Sequence, residues 1–557
     1  MRLAAVIAIA TLGSACTSLV GDTPTETNNE STSSQAPETT ARRCEPGPGS
    51  TEPLDSGSPE TDALFLAAEL FVCADEIVVS DSGDLNELAV AAQLAAALEA
   101  PLLLPEARLA AEIGRLKPRR VHLVGSVQVT TPPSAETIAH DIASAAKTIE
   151  DTLGIGARVS TPATPDASTL IETVNAISDR DRVAVPKAPS TSTTITDTPD
   201  IATSDLVKGL AGETSAETIW IVDARSPVTL LVAASMGRTI NAATVAIDGE
   251  NVLAYPSVGD AIAGRTPEEL RFVGPLPDAD EWELSVLANG EQVPGGGFHI
   301  FPEDLHRRYV AFYGHPGTPA LGVLGEQGPS QTLERMQSFL DAYTGDGAQT
   351  IPTFEMIASV ASAGPTDDGD YSFEWPISTF QAWIDVAAEN DAYVILDLQS
   401  GREDFLSQAM FYEDLLKLPF VGLALDPEWR LAPDQVHLQQ VGRVEAAELN
   451  QVIEWLADLV RDNGLPQKML IVHQFRTSMI QNRETLAERR ELQLVIQMDG
   501  DGSEAQKDST FESLLQGAGD VHWRWGWKNF FDEDEPGPPT PESTIGKEPS
   551  PVYVSYQ

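Results

Sequence analysis

FVGLALDPEWRL, residues 420–431, is an apolar run of strand length that ends in two acids and an aromatic. Side chains alternate along a strand, so this run has two faces. Leu423, Leu425 and Pro427 share one; Gly422, Ala424, Asp426 and Glu428 share the other. A face that is small along its length and acidic at its end suits the inside of a barrel, with the aliphatic face packed under helices. This places Asp426 and Glu428 together at a barrel mouth.

The same rhythm fills residues 308–557. Candidate strands are Tyr309–Tyr313, Ile351–Ile357, Tyr393–Leu398, Val421–Leu425, Met469–His473, Leu492–Gln497, Val521–Trp525 and Val552–Ser555. Amphipathic stretches such as Ser330–Tyr343, Arg402–Leu418 and Val444–Val460 separate most of them, with apolar residues at three- and four-residue intervals. Eight strand–helix units over about 250 residues predict a (β/α)8 TIM-like barrel. The run stops at Gln557 without an eighth helix, so the segment before Tyr309 or the preceding domain is expected to cover that gap.

Barrel enzymes place their chemistry at the carboxyl ends of the strands. Those ends carry Tyr313 and His315, Glu355, Asp397 and Gln399, Asp426 and Glu428, His473 and Gln474, and Gln497 and Asp499. Trp525, Trp527 and Lys528, then Tyr556 and Gln557, complete the set. In the third strand Val394, Leu396 and Leu398 point outward, leaving Tyr393, Ile395, Asp397 and Gln399 inside. Neighbouring carboxylates push their pKa values apart, so that one serves as an acid while another stays ionised. Acids ringed by flat aromatic residues suit a glycosidic substrate. Glu428, Asp426, Glu355, Asp397 and Asp499 are therefore the catalytic candidates. Tyr313, His315, Gln399, His473, Gln497, Trp525, Trp527, Lys528 and Tyr556 are the substrate-binding candidates.

The Asp426-x-Glu428 pair ending the fourth strand resembles the close of the signature in family 18 chitinases. That resemblance implies Glu428 as proton donor and Asp426 as its partner. The two earlier aspartates of the signature fall here on Val421 and Ala424. A two-carboxylate mechanism pairing Glu428 with Glu355, Asp397 or Asp499 stays equally open. His315, His473 and His522 could join the acids in a metal-dependent hydrolase, but no His-Glu-x-x-His run is present and no metal is expected. No Gly-x-Ser-x-Gly elbow occurs. HWRWGWKNFFDEDE, residues 522–535, reads either as a substrate platform or as a strand and loop packed by their own rings.

Residues 61–280 repeat a different unit. Ile77–Val79, an Ala-rich helix Leu85–Leu98 capped by Asp84, Pro101–Leu104, a helix near Ala107–Leu116 and Arg119–Ser126 alternate as in a parallel α/β sheet. Glu217–Ile247 and Thr266–Pro275 repeat the pattern, while Val183–Pro186 is a fragment of a middle copy. These runs resemble Rossmann-like cell-wall-binding repeat type 2 modules, which implies binding to anionic wall polymer. The turns Ser80–Asp84 and Asp223–Pro227 lack the three-glycine dinucleotide fingerprint, so no cofactor is expected. Residues 281–307 read as a connecting hairpin, with VPGGGFH (Val293–His299) as a flexible joint.

The N-terminus combines Arg2, an apolar run Leu3–Leu12 and Gly13-Ser14-Ala15 before Cys16. It is too short to span a bilayer and reads as a signal peptide. The triplet resembles a bacterial lipobox, implying lipidation of Cys16 over residues 1–16; simple cleavage and secretion is the alternative. Residues 17–60 and Lys187–Asp200 are Ser/Thr/Pro-rich, the first a tether and the second a loop. With Cys16 lipidated, Cys44 and Cys73 remain as a pair suited to a disulfide in an oxidising compartment. The 84 acidic against 35 basic side chains, a net −49, exclude nucleic-acid binding through the phosphate backbone. The motifs of the C-terminal half, among them LDLQSGREDFL and PVYVSYQ, also resemble lipoproteins of actinobacteria, implying a surface location and a barrel. The combined expectation is a surface lipoprotein whose barrel cleaves wall or environmental polysaccharide, or a non-catalytic glycan binder of the same design.

Overall fold

The computed structural model describes residues 44–557, apart from 45, 48–49, 51–52, 156–157, 162–165, 180–182, 187–202, 211–215, 250, 263–264, 266–268, 275–280, 517 and 519–520. Cys16, the signal sequence, most of the tether and Lys187–Asp200 lie outside the described residues. Cys44 and Cys73 form the expected disulfide, with Cα atoms 5.5 Å apart. Residues 53–60, assigned to the tether, pack on the fold instead. Leu54 bonds to the backbone of Phe272 and Gly274, and Ser58 caps the helix Pro59–Leu70.

The N-terminal half is built from parallel strand–helix units, as the alternation predicts. One sheet runs Leu102–Leu103, Glu76–Ser80, Arg120–Val124, Glu136–His140. Another runs Ala243–Ile247, Ile219–Asp223, Leu270–Val273. The middle copy is more than a fragment: Arg158–Thr161 and Val183–Pro186 pair in parallel around the helix Ala167–Asp179. Its loops are too rich in Thr, Pro and Asp to betray it by hydrophobic pattern. The three helices Leu85–Leu98, Ala167–Asp179 and Pro227–Thr239 pack against one another, and Asp84 caps the first through its side chain. Buried Gln93 joins two units by mimicking a strand: its amide exchanges two 2.9 Å bonds with the backbone of Ala184.

Residues 307–557 form a closed eight-stranded parallel barrel. Its strands are Arg307–Gly314, Gln349–Ala361, Tyr393–Leu398, Val421–Leu425, Lys468–Gln474, Leu492–Met498, Arg524–Asn529 and Tyr553–Tyr556, and the first pairs with both the second and the last. The predicted two faces are present. Ala424, Tyr393 and Ile395 belong to a small interior cluster with Tyr309, Ile351 and Met469, while Leu423, Leu425, Val394 and Leu396 join the layer under the helices.

The segment before the barrel differs from the expected hairpin. Glu281–Asn289 is a helix docked on the barrel base, where Trp282 Nε1 donates to Leu465 O at 2.9 Å. The glycine run is a floor rather than a joint. Gly295, Gly296 and Gly297 take positive φ, and Arg307 Nη2 donates to the carbonyls of Gly295 and Gly296. A Cβ on Gly297 would lie 2.8 Å from Pro256 Cα, so only glycine lets the turn approach so closely. Val293 and Ile300 thereby close the interior cluster from below.

Candidate active site

Above that apolar floor the same inward positions turn polar. Two residues on from Tyr393 and Ile395 comes Asp397; from Met469 and Ile471, His473; and from Ala424, Asp426. Period-two geometry thus stacks Tyr313, Glu355, Asp397, Asp426, His473, Gln497 and Lys528 at the carboxyl ends of the strands, all buried. Asp499 follows directly after the end of the sixth strand.

His473, fully buried, is the hub. Its Nδ1 donates to Asp499 Oδ2 at 3.1 Å. Its Nε2 lies 3.1 Å from Glu355 Oε1 and 3.7 Å from Asp397 Oδ1, within ion-pair range but not aligned for hydrogen bonds. Lys528 Nζ sits 3.1 Å from Asp499 Oδ1 and 3.7 Å from the centre of the Tyr313 ring. Tyr313 donates its hydroxyl proton to Asp397 Oδ2 at 2.8 Å and accepts from Gln399 Nε2 at 3.4 Å. Neither Glu355 oxygen has a hydrogen-bond partner among the described residues.

The electrostatics divide these groups. Burial pushes Asp397 up to about 6, against the pull of His473. Burial also carries Asp426 well above the carboxylate range. Burial and the charge of Asp499 push Glu428 up to about 7. Asp499 goes the other way: Lys528 and His473 overcome burial and hold it below its usual range. His473 rises well above the usual imidazole value because the Asp499 bond and the Glu355 contact outweigh burial. The arrangement holds one carboxyl ready to give a proton and another fixed as an anion, the division acid–base catalysis requires.

A cavity of about 320 Å³ opens at this mouth, lined by Tyr313, Gln399, Asp426, Glu428, Asp499 and Lys528. Asp426 caps the short 3₁₀ turn Pro427–Trp429, its Oδ1 accepting from Glu428 N at 3.1 Å. That turn presents Glu428 and Trp429 to the cavity. Phe475, Phe530, Asp501 and Glu533 also line it. Of these six only Glu428 was a named site candidate from sequence, although Phe530 and Glu533 fall within the aromatic stretch 522–535. Trp429 carried its own signal, an aromatic directly beside the acidic pair.

Four expected binders are elsewhere. The seventh strand starts at Arg524, three residues later than its hydrophobicity suggests, so Gly526 and Lys528 face inward and Trp525 and Trp527 face outward. Both tryptophans meet Phe511 edge-on, at 5.6 and 5.7 Å. Gly526 leaves room for Gln497, whose Oε1 would be 1.9 Å from a Cβ there; Gln497 Nε2 donates to Ser555 Oγ. Tyr556 likewise points outward, its hydroxyl 2.8 Å from that of Tyr343 and its ring stacked on Phe531. His315 packs on Trp375 and accepts from Gly317 N through Nδ1. His522 lies against Trp523, so the three histidines do not converge. Among the described residues the oxygens of Asp368, Asp370 and Glu374 lie within 4.8 Å of one another, an arrangement able to hold a metal ion outside the cavity. No described helix is long and apolar enough to cross a membrane.

A pH dependence of stability follows. The folded state keeps a proton on Glu428 up to about 7, whereas its ordinary value is 4.5. Between those values folding takes up a proton, so raising the pH through that window removes stability. Asp397, displaced from 3.8 to about 6, acts in the same sense. Denaturant midpoints measured across the window should fall with rising pH, and Glu428→Gln should make that fall shallower. An unchanged slope in the variant would show that Glu428 is not the group that holds the proton.

No family model and no curated protein matches the chain. Among solved structures it is similar to Cwp6 from Clostridium difficile, at 12% identity and a TM-score of 0.33, over 57% of this chain and 64% of that one. It is also similar to Cwp8 from Clostridium difficile, at 14% identity and a TM-score of 0.33, over 40% of this chain and 49% of that one. The chain therefore spans less than two thirds of the length of either, and these likenesses assign it no activity.

Proposed function

We propose that the barrel is a glycoside hydrolase acting on wall or environmental polysaccharide, carried on an extracytoplasmic lipoprotein whose N-terminal half binds wall polymer. The observation that carries the reading is the pairing, in one cavity at the strand ends, of Glu428 with Asp499 anchored by Lys528 and His473. Glu428 protonates the departing glycosidic oxygen. Asp499 stabilises positive charge at the anomeric carbon or attacks it. Asp426 shapes the turn that carries Glu428, while Glu355, Asp397 and Tyr313 set the charge of His473 from behind. Trp429 and Phe475 supply flat faces for sugar rings. The Cys44–Cys73 disulfide supports an oxidising, extracytoplasmic compartment. Lipidation of Cys16, an actinobacterial origin and the boundaries of the wall-binding region belong to the same proposal.

Release of reducing ends from purified wall glycans and plant or fungal polysaccharides is the test. Cleavage by the wild type and its loss in Glu428→Gln supports the enzyme. Tight binding without any cleavage overturns it in favour of a glycan-binding protein. The two aromatic positions separate site from scaffold. Trp429→Ala is expected to raise KM about tenfold with an unchanged melting temperature, whereas Trp525→Ala should cost about 3–5 kcal/mol of stability as a core truncation. Parallel activity and melting assays check both.

A further inference from the structure

A second cavity, of about 270 Å³, lies behind the turn that carries Glu428, and three arginines line it: Arg402, Arg430 and Arg443. In a chain with 84 acidic and 35 basic side chains, cations readily find carboxylate partners. Arg430 does so, holding Glu448 through Nε at 2.8 Å and Nη2 at 3.3 Å. The other two do not. Arg402 gives Nε and Nη2 to the carbonyl of Gln435 and stacks on Tyr371 at 4.2 Å. The Arg443 guanidinium makes no ion pair or hydrogen bond among the described residues and is exposed. The carboxylates of the cavity are already engaged: Glu448 by Arg430, and Glu445 by Asn482 Nδ2 at 3.0 Å.

The geometry points to an oxyanion site for a phosphate ester. Guanidinium forks suit phosphate oxygens, and two forks without carboxylate partners leave the cavity with excess positive charge. The volume approaches that of ligand pockets and leaves room for more than a bare phosphate. A protein of net −49 repels phosphorylated polymers over most of its surface, so any place that accepts them must supply its own cations. The site is also wired to the mouth. Gly442 N donates to Glu428 O at 2.7 Å and Arg443 N to Arg430 O at 3.3 Å. A Cβ on Gly442 would lie 2.3 Å from Glu428 O, so the two segments are in direct backbone contact. A ligand drawn to Arg443 therefore tightens the turn that positions Glu428. The inference stands whether or not the barrel mouth cleaves glycan.

Calorimetric titration of the full chain with inorganic phosphate, glycerol phosphate, glucose 1-phosphate and acetate tests it. Saturable phosphate binding is expected, weakened by added salt and at least about tenfold weaker in Arg443→Gln, with Arg443→Lys intermediate. The exposed Arg443 side chain makes no ion pair or hydrogen bond among the described residues, so both variants should fold as the wild type, which circular dichroism checks. Tighter binding of glucose 1-phosphate than of inorganic phosphate assigns the site to phosphorylated saccharide; equal binding assigns it to free phosphate. Absence of phosphate binding, binding unchanged in Arg443→Gln, or acetate binding as tightly as phosphate would each overturn the proposal.

Discussion

Glu428→Gln is expected to lower the turnover of glycan cleavage about 10²–10⁴-fold, the range for losing a general acid, while leaving KM within a few-fold. Gln keeps the shape and removes the proton. Glu428 sits on a capped turn, so the substitution leaves Asp426 free to accept from the backbone amide at 428. Because burial and Asp499 raise Glu428 to about 7, the wild type carries the acid proton up to neutrality and loses it above. Turnover should therefore fall as the pH rises through that value, and the residual activity of the variant should lack the alkaline limb. Activated substrates, whose leaving groups need no proton, should be rescued most. A variant that keeps its turnover on natural glycan would place the acid elsewhere, with Asp397 the next buried candidate.

His473→Leu is expected to destabilise the barrel by about 3–5 kcal/mol, the cost of removing one partner from a buried ionic group. Glu355, Asp397 and Asp499 all approach this imidazole, and none is exposed beyond 6%. Lys528 would still pair with Asp499, leaving Glu355 and Asp397 without a cation directly at hand. Asp397, already pushed up to about 6 by burial with His473 in place, would then keep its proton to higher pH, so the loss should shrink as the pH falls. Denaturant unfolding followed by tryptophan fluorescence at neutral and acid pH measures both effects. A loss below about 1 kcal/mol at neutral pH would overturn the ionic hub.

The barrel and its inward face were legible because alternation is a property of the chain itself. FVGLALDPEWRL needs no partner to put Ala424 and Asp426 on one side and Leu423 and Leu425 on the other. The same rule located Asp397. It failed where the start of a strand was misplaced. In HWRWGWKN, Trp525, Trp527 and Lys528 were all expected at the mouth, but a strand over Arg524–Asn529 turns only Lys528 of the three inward and sends Trp525 and Trp527 outward. Nothing local in an aromatic run marks where pairing begins; the register with Val495–Met498 sets it. The glycine run at residues 295–297 failed for a related reason, since its turn makes sense only beneath a barrel that Arg307 and Val293 help to close.

Chain-local periodicity was therefore enough for the fold class, the eight strands and the candidate acids. Which of those acids meet, and in what charge state, required the closed sheet. Glu355, Asp397, His473, Asp499 and Lys528 come from five strands or strand ends spread over 174 residues, and no spacing rule joins them. Their electrostatics are a property of the shared buried space: Lys528 and His473 hold Asp499 ionised while burial keeps Glu428 protonated. The same holds for the arginine cavity, where folded loops bring together Arg402 and Arg443, neither with an acidic partner among the described residues. Side-chain direction is set by backbone geometry one residue at a time, whereas convergence and desolvation exist only once distant segments are packed together.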